Sequence, residues 1–149
     1  MKVIIGSDHA GFRLKEKIKE YFRKNNVECE DVGPFNYDKT DDYPDFVIRV
    51  AKKVARLKCM GIIIGYSGQG EAITANKFKG IRAVVYYGGN KKIIKLTREH
   101  NDANILSLGA GFLNEKNAIE SLKLWLKTNF SNEKRHKRRL RKISDFERK

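Results

Sequence analysis

Four short stretches of this 149-residue chain carry residues whose types and spacing suit acid–base chemistry on a small anion. The most informative is Gly65-Tyr66-Ser67-Gly68-Gln69-Gly70-Glu71. Glycines at a strand-to-helix turn let backbone N–H groups face a crevice and bind an anion where the helix starts. A glutamate opening that helix faces the same crevice. Donors there can stabilise the oxygen charge of an enediolate while the carboxylate moves a carbon-bound proton. A plainer reading makes the glycines a tight turn and Glu71 a partner of the helix dipole. The pattern is not a dinucleotide fingerprint, which would follow the first strand and be trailed by an acidic residue after the second.

Asp8 and His9 sit just past the first apolar run. They read either as a helix N-cap with an exposed histidine or as part of the same crevice, because the two turns share one edge of a sheet. His100-Asn101 closes a helical stretch, where a histidine either complements the dipole or serves as an acid–base group. Arg135 and Arg139, four apart on a terminal helix, share a face and could clamp a phosphate. They could equally belong to a solvated basic tail. Cys29 and Cys59 lie far apart with no CxxC and no histidines at ligand spacing, which argues against a disulfide framework or a zinc site.

Short β-branched runs alternate with stretches of helical period. Residues 2–6, 28–32, 60–65, 81–86 and 105–108 read as strands, and 11–24, 44–57, 71–77, 90–99, 115–126 and 132–142 as helices, with the last few residues frayed. This alternation predicts a three-layer α/β fold: a five-stranded parallel sheet of Rossmann-like type, helices on both faces, and a basic C-terminal helix. Residues 1–149 read as one domain, with 131–149 as its basic tail. Ligands of such sheets bind beyond the carboxyl ends of the strands, where Ser7–Gly11 and Ser67–Glu71 fall.

The net charge is +14, and residues 131–149 carry 9 Lys/Arg against 3 Asp/Glu. Such a balance fits nucleic acid, a small anion, or simply well-solvated helix faces. No Phe, Tyr or Trp interleaves the basic stretch 132–142 of the tail, so base stacking is not signalled. No run reaches the roughly 18–20 apolar residues of a membrane span. The first residues turn polar too soon for a secretory signal, which makes the cytoplasm the default compartment.

Taken together the motifs resemble one family. SDHAG at Ser7–Gly11, DYPD at Asp42–Asp45, SGxGE and ANK within Ser67–Lys77, GIRA at Gly80–Ala83, REHNDAN at Arg98–Asn104, SLGA at Ser107–Ala110 and RHKRR at Arg135–Arg139 follow the order of the ribose-5-phosphate isomerase B family and its galactose-6-phosphate isomerase relatives. The resemblance implies an aldose–ketose isomerase of a phosphorylated sugar, ribose 5-phosphate first, acting through an enediolate without metal or organic cofactor. It implies the glutamate-base subtype, with Glu71 as base and Gly65 at the position where other members carry a cysteine. Ser67 would assist proton movement between sugar oxygens, and the backbone around Gly68 and Gly70, with Asn101, would hold the enediolate. His100 would open the furanose ring. Asp8, His9 and Tyr43 would contact hydroxyls, and Arg135 and Arg139 the phosphate. Members are dimers or dimers of dimers, with His100 and Asn101 supplied by the neighbouring chain.

Two positions depart from the pattern. Gly111 replaces an arginine that grips the phosphate, a loss of about 1–3 kcal/mol for one charged hydrogen bond. Tyr66 replaces a small glycine and would narrow the pocket or add a hydroxyl. Lys91 or Lys92 could supply replacement charge. Another phosphorylated sugar therefore stands as the second reading, and a nucleic-acid-binding protein on the same fold as the third.

Overall fold

Near-continuous apolar runs along the central strands give the sheet two faces to cover, and the helices divide between them. The computed structural model describes residues 2–148. Five strands, β1 (Lys2–Ser7), β2 (Glu28–Asp31), β3 (Met60–Gly65), β4 (Ala83–Tyr86) and β5 (Ile105–Gly109), pair in parallel in the order β2-β1-β3-β5-β4. Six helices accompany them: α1 (Phe12–Lys24), α2 (Tyr43–Leu57), α3 (Gln69–Ala75), α4 (Lys92–Glu99), α5 (Glu115–Lys127) and α6 (Lys134–Phe146). This is the three-layer parallel architecture that the alternating pattern predicts.

The register places Ile5 opposite Ile62, and Ile62 opposite Leu106, in one row across the sheet. That row packs on Ile18 and Phe22 of α1, Ile94 of α4, and Leu122 and Trp125 of α5. On the other face Ile4, Ile63 and Ile105 meet Val47, Val50 and Val54 of α2 with Ala72 and Ala75 of α3. The chain therefore leaves β1 toward one face, through α1, and leaves β3 toward the other, through α3. Adjacent strands whose connections part in this way open a crevice at their carboxyl ends.

Several element limits differ from the sequence reading. β4 starts at Ala83 rather than Ile81, because the Ile81 N–H donates to the Phe78 carbonyl at 3.0 Å and the Arg82 N–H to Asn104 Oδ1 at 2.8 Å. α3 starts two residues before Glu71, after Gly68, whose φ of +78° is readily reached only by glycine. Glu71 thus stands in the first turn and does not open the helix. α6 begins at Lys134 and runs past Lys142 to Phe146, and the Gly80 N–H donates to Glu147 at 3.0 Å just beyond it. The helix thus ends four residues later than the sequence reading places it. No helix of the described residues is long and apolar enough to cross a membrane.

Candidate active site

At the carboxyl edge the turn after β3 builds a slot for one carboxylate. Glu71 is only 4 % exposed. A Cβ placed on Gly65 would lie 1.5 Å from its Oε1, so the carboxyl occupies the space that any side chain at position 65 would need. Burial pushes the Glu71 pKa up, and the nearby charge of Asp8 adds to the shift. Ser67, half-buried, accepts a 3.3 Å hydrogen bond from the Gln69 N–H, and Ser107 Oγ donates to the Gly68 carbonyl at 2.7 Å. The Tyr43 ring lies against Gly70: a Cβ there would stand 2.7 Å from the phenol oxygen.

Asp8 comes from the neighbouring strand. Its Oδ1 accepts from the Gly11 N–H at 3.1 Å, and Gly11 rather than Asp8 occupies the N-cap position of α1. Burial raises the Asp8 pKa, partly offset by that N–H. His9 is bonded to Asp41 through Nδ1 at 2.7 Å and through its backbone N–H at 2.9 Å, and the pair holds the imidazole pKa up. Asp8, His9 and Asp41 have potential ligand atoms within 4.8 Å of one another, with Nδ1 of His9 already committed to Asp41.

His100 and Asn101 belong to the other edge. α4 runs back against the strands, and the turn it ends in is tied to strand beginnings. The Gly61 N–H donates to the Asn104 carbonyl at 2.8 Å, the Arg82 N–H to Asn104 Oδ1 at 2.8 Å, and Arg82 Nε to the Asn101 carbonyl at 3.0 Å. β3 spans six residues, roughly 20 Å at the usual rise, between this edge and Glu71. α6 lies along the same amino edge, from a ring contact between His136 and His100 (centroids 4.2 Å apart) to the Glu147–Gly80 bond. His136 is buried. Its Nδ1 pairs with Ser131 Oγ at 2.7 Å, and its Nε2 has no partner. Burial, with the charge of His100, lowers its pKa. Arg135 and Arg139 flank it on the exposed side, Arg135 in a surface pair with Glu133 at 2.8 Å. A cleft of about 630 Å³ beside His100 is lined by Lys95, Glu99, Thr128, Phe130 and Ser131 among others.

The residues singled out from the sequence therefore fall into two groups. Asp8, His9, Tyr43, Ser67, Gly68, Gly70 and Glu71 meet at the carboxyl edge; His100, Asn101, Arg135 and Arg139 gather at the amino edge. Sequence reasoning missed Asp41, hidden in a polar loop without period, and His136, masked by basic neighbours. Lys91 pairs with Glu120 at the surface. The thiols are poor nucleophiles: burial pushes Cys29 up to about 12, and Cys59 upward too. A groove of about 700 Å³ beside α1 is lined by Cys29 but by none of the residues gathered at either edge.

A parallel α/β sheet with a buried carboxylate at its switch point defines a class of small-ligand proteins rather than one activity. The match of residues 3–143 to the ribose/galactose isomerase family model narrows it: the chain belongs to that family. It is similar to ribose-5-phosphate isomerase B of Mycolicibacterium paratuberculosis, 37% identical over 99% of this chain and 92% of the relative. Two solved structures superpose closely. One is ribose-5-phosphate isomerase B from Clostridium thermocellum (TM-score 0.93, 41% identity, 99% and 98% of the two chains). The other is that from Mycoplasma genitalium with bound ribulose 5-phosphate (TM-score 0.94, 37% identity, 99% and 97%).

Proposed function

We propose that the protein interconverts ribose 5-phosphate and ribulose 5-phosphate, with Glu71 as base. The observation that carries this reading is the Glu71 carboxyl, buried in the slot of Gly65 with its basicity raised. Glu71 takes the proton from C2 of the open aldose, leaving an enediolate, and returns it to C1. Ser67 passes the hydroxyl proton from O2 to O1, and N–H donors of the Gly68–Gly70 turn face the oxygen charge. Aldose and ketose are isomers, so the step is redox-neutral. Asp8, His9 and Tyr43 hold sugar hydroxyls.

His100, Asn101, Arg135 and Arg139 serve a partner chain's crevice. Their placement at the far edge of their own sheet supports a homodimer, or a dimer of dimers, with shared sites. His100 opens the furanose ring there, and the two guanidiniums hold the phosphate. The reduced state of Cys29 and Cys59 fits a cytoplasmic setting. The test is ketose formation from ribose 5-phosphate by the purified protein and its loss in Glu71→Gln. Absence of turnover in the wild type, or near-normal turnover in the variant, would overturn the reading. Tyr66 lying over Gly111 favours one second reading, another phosphorylated aldose, which a panel of such sugars tests directly.

A further inference from the structure

Three aromatic rings stand together at the carboxyl edge. Tyr66 follows β3, Tyr87 follows β4, and Phe112 lies in the turn after β5. Phe112 meets Tyr66 edge-on with centroids 5.6 Å apart, and Tyr87 with centroids 6.0 Å apart. All three are more than half exposed, at 63, 51 and 60 % for Tyr66, Tyr87 and Phe112. A contiguous aromatic patch of this kind marks a contact surface more often than a chance exposure.

Gly111 accounts for the position of Tyr66. A Cβ on Gly111 would lie 2.5–2.8 Å from three atoms of the Tyr66 ring, so the ring fills the space that a side chain at 111 would need. The backbones are pinned as well, with the Gly111 N–H donating to the Tyr66 carbonyl at 2.8 Å and the Ala110 N–H to the Gly65 carbonyl at 2.8 Å. Tyr66 is also the residue between Gly65, which leaves room for the Glu71 carboxyl, and Ser67. The rings adjoin the Ser67 turn, since a Cβ on Gly109 would lie 2.7 Å from the Ser67 carbonyl oxygen and 2.8 Å from Tyr87 Cβ, and Tyr66, packed on Gly111 and Phe112, has little freedom to retreat.

We propose that Tyr66 is a specificity-determining residue. With Tyr87 and Phe112 it forms an aromatic wall that bounds the site on the β5 side and sets the length of phosphorylated aldose accepted, five carbons over six. This rests on the isomerase reading above. An additional carbon requires the wall to move, and a rigid apolar wall rejects one such step by roughly 10–200-fold.

The test compares kcat/KM for ribose 5-phosphate and for a six-carbon aldose 6-phosphate in the wild type, Tyr66→Gly, Tyr66→Phe and Gly111→Arg. The expected result is a five-over-six preference that falls by about tenfold or more in Tyr66→Gly and survives in Tyr66→Phe. Gly111→Arg should impair both sugars, because its side chain must displace the ring, and combining it with Tyr66→Gly should relieve that defect. A preference unchanged in Tyr66→Gly, a Tyr66→Phe variant that behaves like Tyr66→Gly, or a Gly111→Arg defect that persists in the double variant would overturn the proposal. A wild type that turns over neither sugar would overturn the isomerase reading instead.

Discussion

Glu71 is made basic by burial, in the slot that Gly65 leaves open, and by the charge of Asp8, and both can be altered. Glu71→Gln keeps the shape and removes the base, so turnover should fall by about 10²–10⁴-fold, the usual contribution of a positioned base. The same change should stabilise the protein at neutral pH. A carboxyl whose folded pKa is raised favours its neutral form, so its stabilising contribution is complete below the unfolded value and is lost as pH rises through the folded value. Melting temperatures across pH should show the gap between variant and wild type opening with rising pH; a constant gap would contradict the burial of that charge. Gly65→Ala tests the slot itself. Its Cβ cannot coexist with Oε1 at 1.5 Å, so the carboxyl must swing out. Activity should then fall toward that of Glu71→Gln, while overpacking costs about 1–3 kcal/mol and leaves the chain folded; a Gly65→Ala enzyme with full kcat would exclude the slot as a requirement. The glycine-rich turn and its glutamate are legible in the sequence from spacing alone. The fit between them is not, because a glycine that makes a turn and one that makes room read alike. The contact of Tyr66 with Gly111 was hidden for a related reason, since only the pairing of β3 with β5 brings those residues together.

Among the elements, α6 shows how far periodicity reaches. A basic helix is evident from the sequence, yet its single buried residue, His136, is not, because nothing in Arg135–Arg139 separates a packed imidazole from a solvated one. The helix's extension to Phe146 was likewise invisible, since it ends beside a bond to Gly80 from a distant loop. His136→Ala removes the ring against His100 and should destabilise by roughly 2–4 kcal/mol, the range for emptying a packed site of this size. His136→Phe keeps a ring and deletes the unpartnered Nε2, and should cost far less. The two variants also separate by pH. A histidine whose folded pKa is lowered takes up its proton more readily when unfolded, so wild-type stability falls as pH drops below the ordinary imidazole value. His136→Phe lacks this loss, and urea unfolding should show its advantage growing with acid over that window. Parallel pH curves would mean that His136 takes up its proton as readily in the folded chain as in the unfolded one.

Over the whole molecule, the geometry divides the proposed catalytic set between two edges of a sheet roughly 20 Å apart. If a symmetric partner brings the amino edge of one chain to the carboxyl edge of the other, each dimer has two sites of mixed parentage. Glu71→Gln and His100→Asn, each inactive alone, then complement. Equal mixing makes half of the dimers hybrids with one intact site of two, so about a quarter of wild-type activity should return once subunits exchange. Exchange verified by mass without recovered activity would place both residues in the site of a single chain. Arg135 carries the same logic into substrate binding. Arg135→Ala alone should raise KM with a smaller effect on kcat, the mark of lost uniform binding. In a hybrid with Glu71→Gln, the only site retaining its base lies on the Arg135→Ala chain. A phosphate clamp supplied in trans comes from the Glu71→Gln chain, whose arginine is intact, and that site should show the wild-type KM. A clamp supplied in cis leaves the KM raised, so the KM of the hybrid assigns Arg135 to its own chain's crevice or to its partner's.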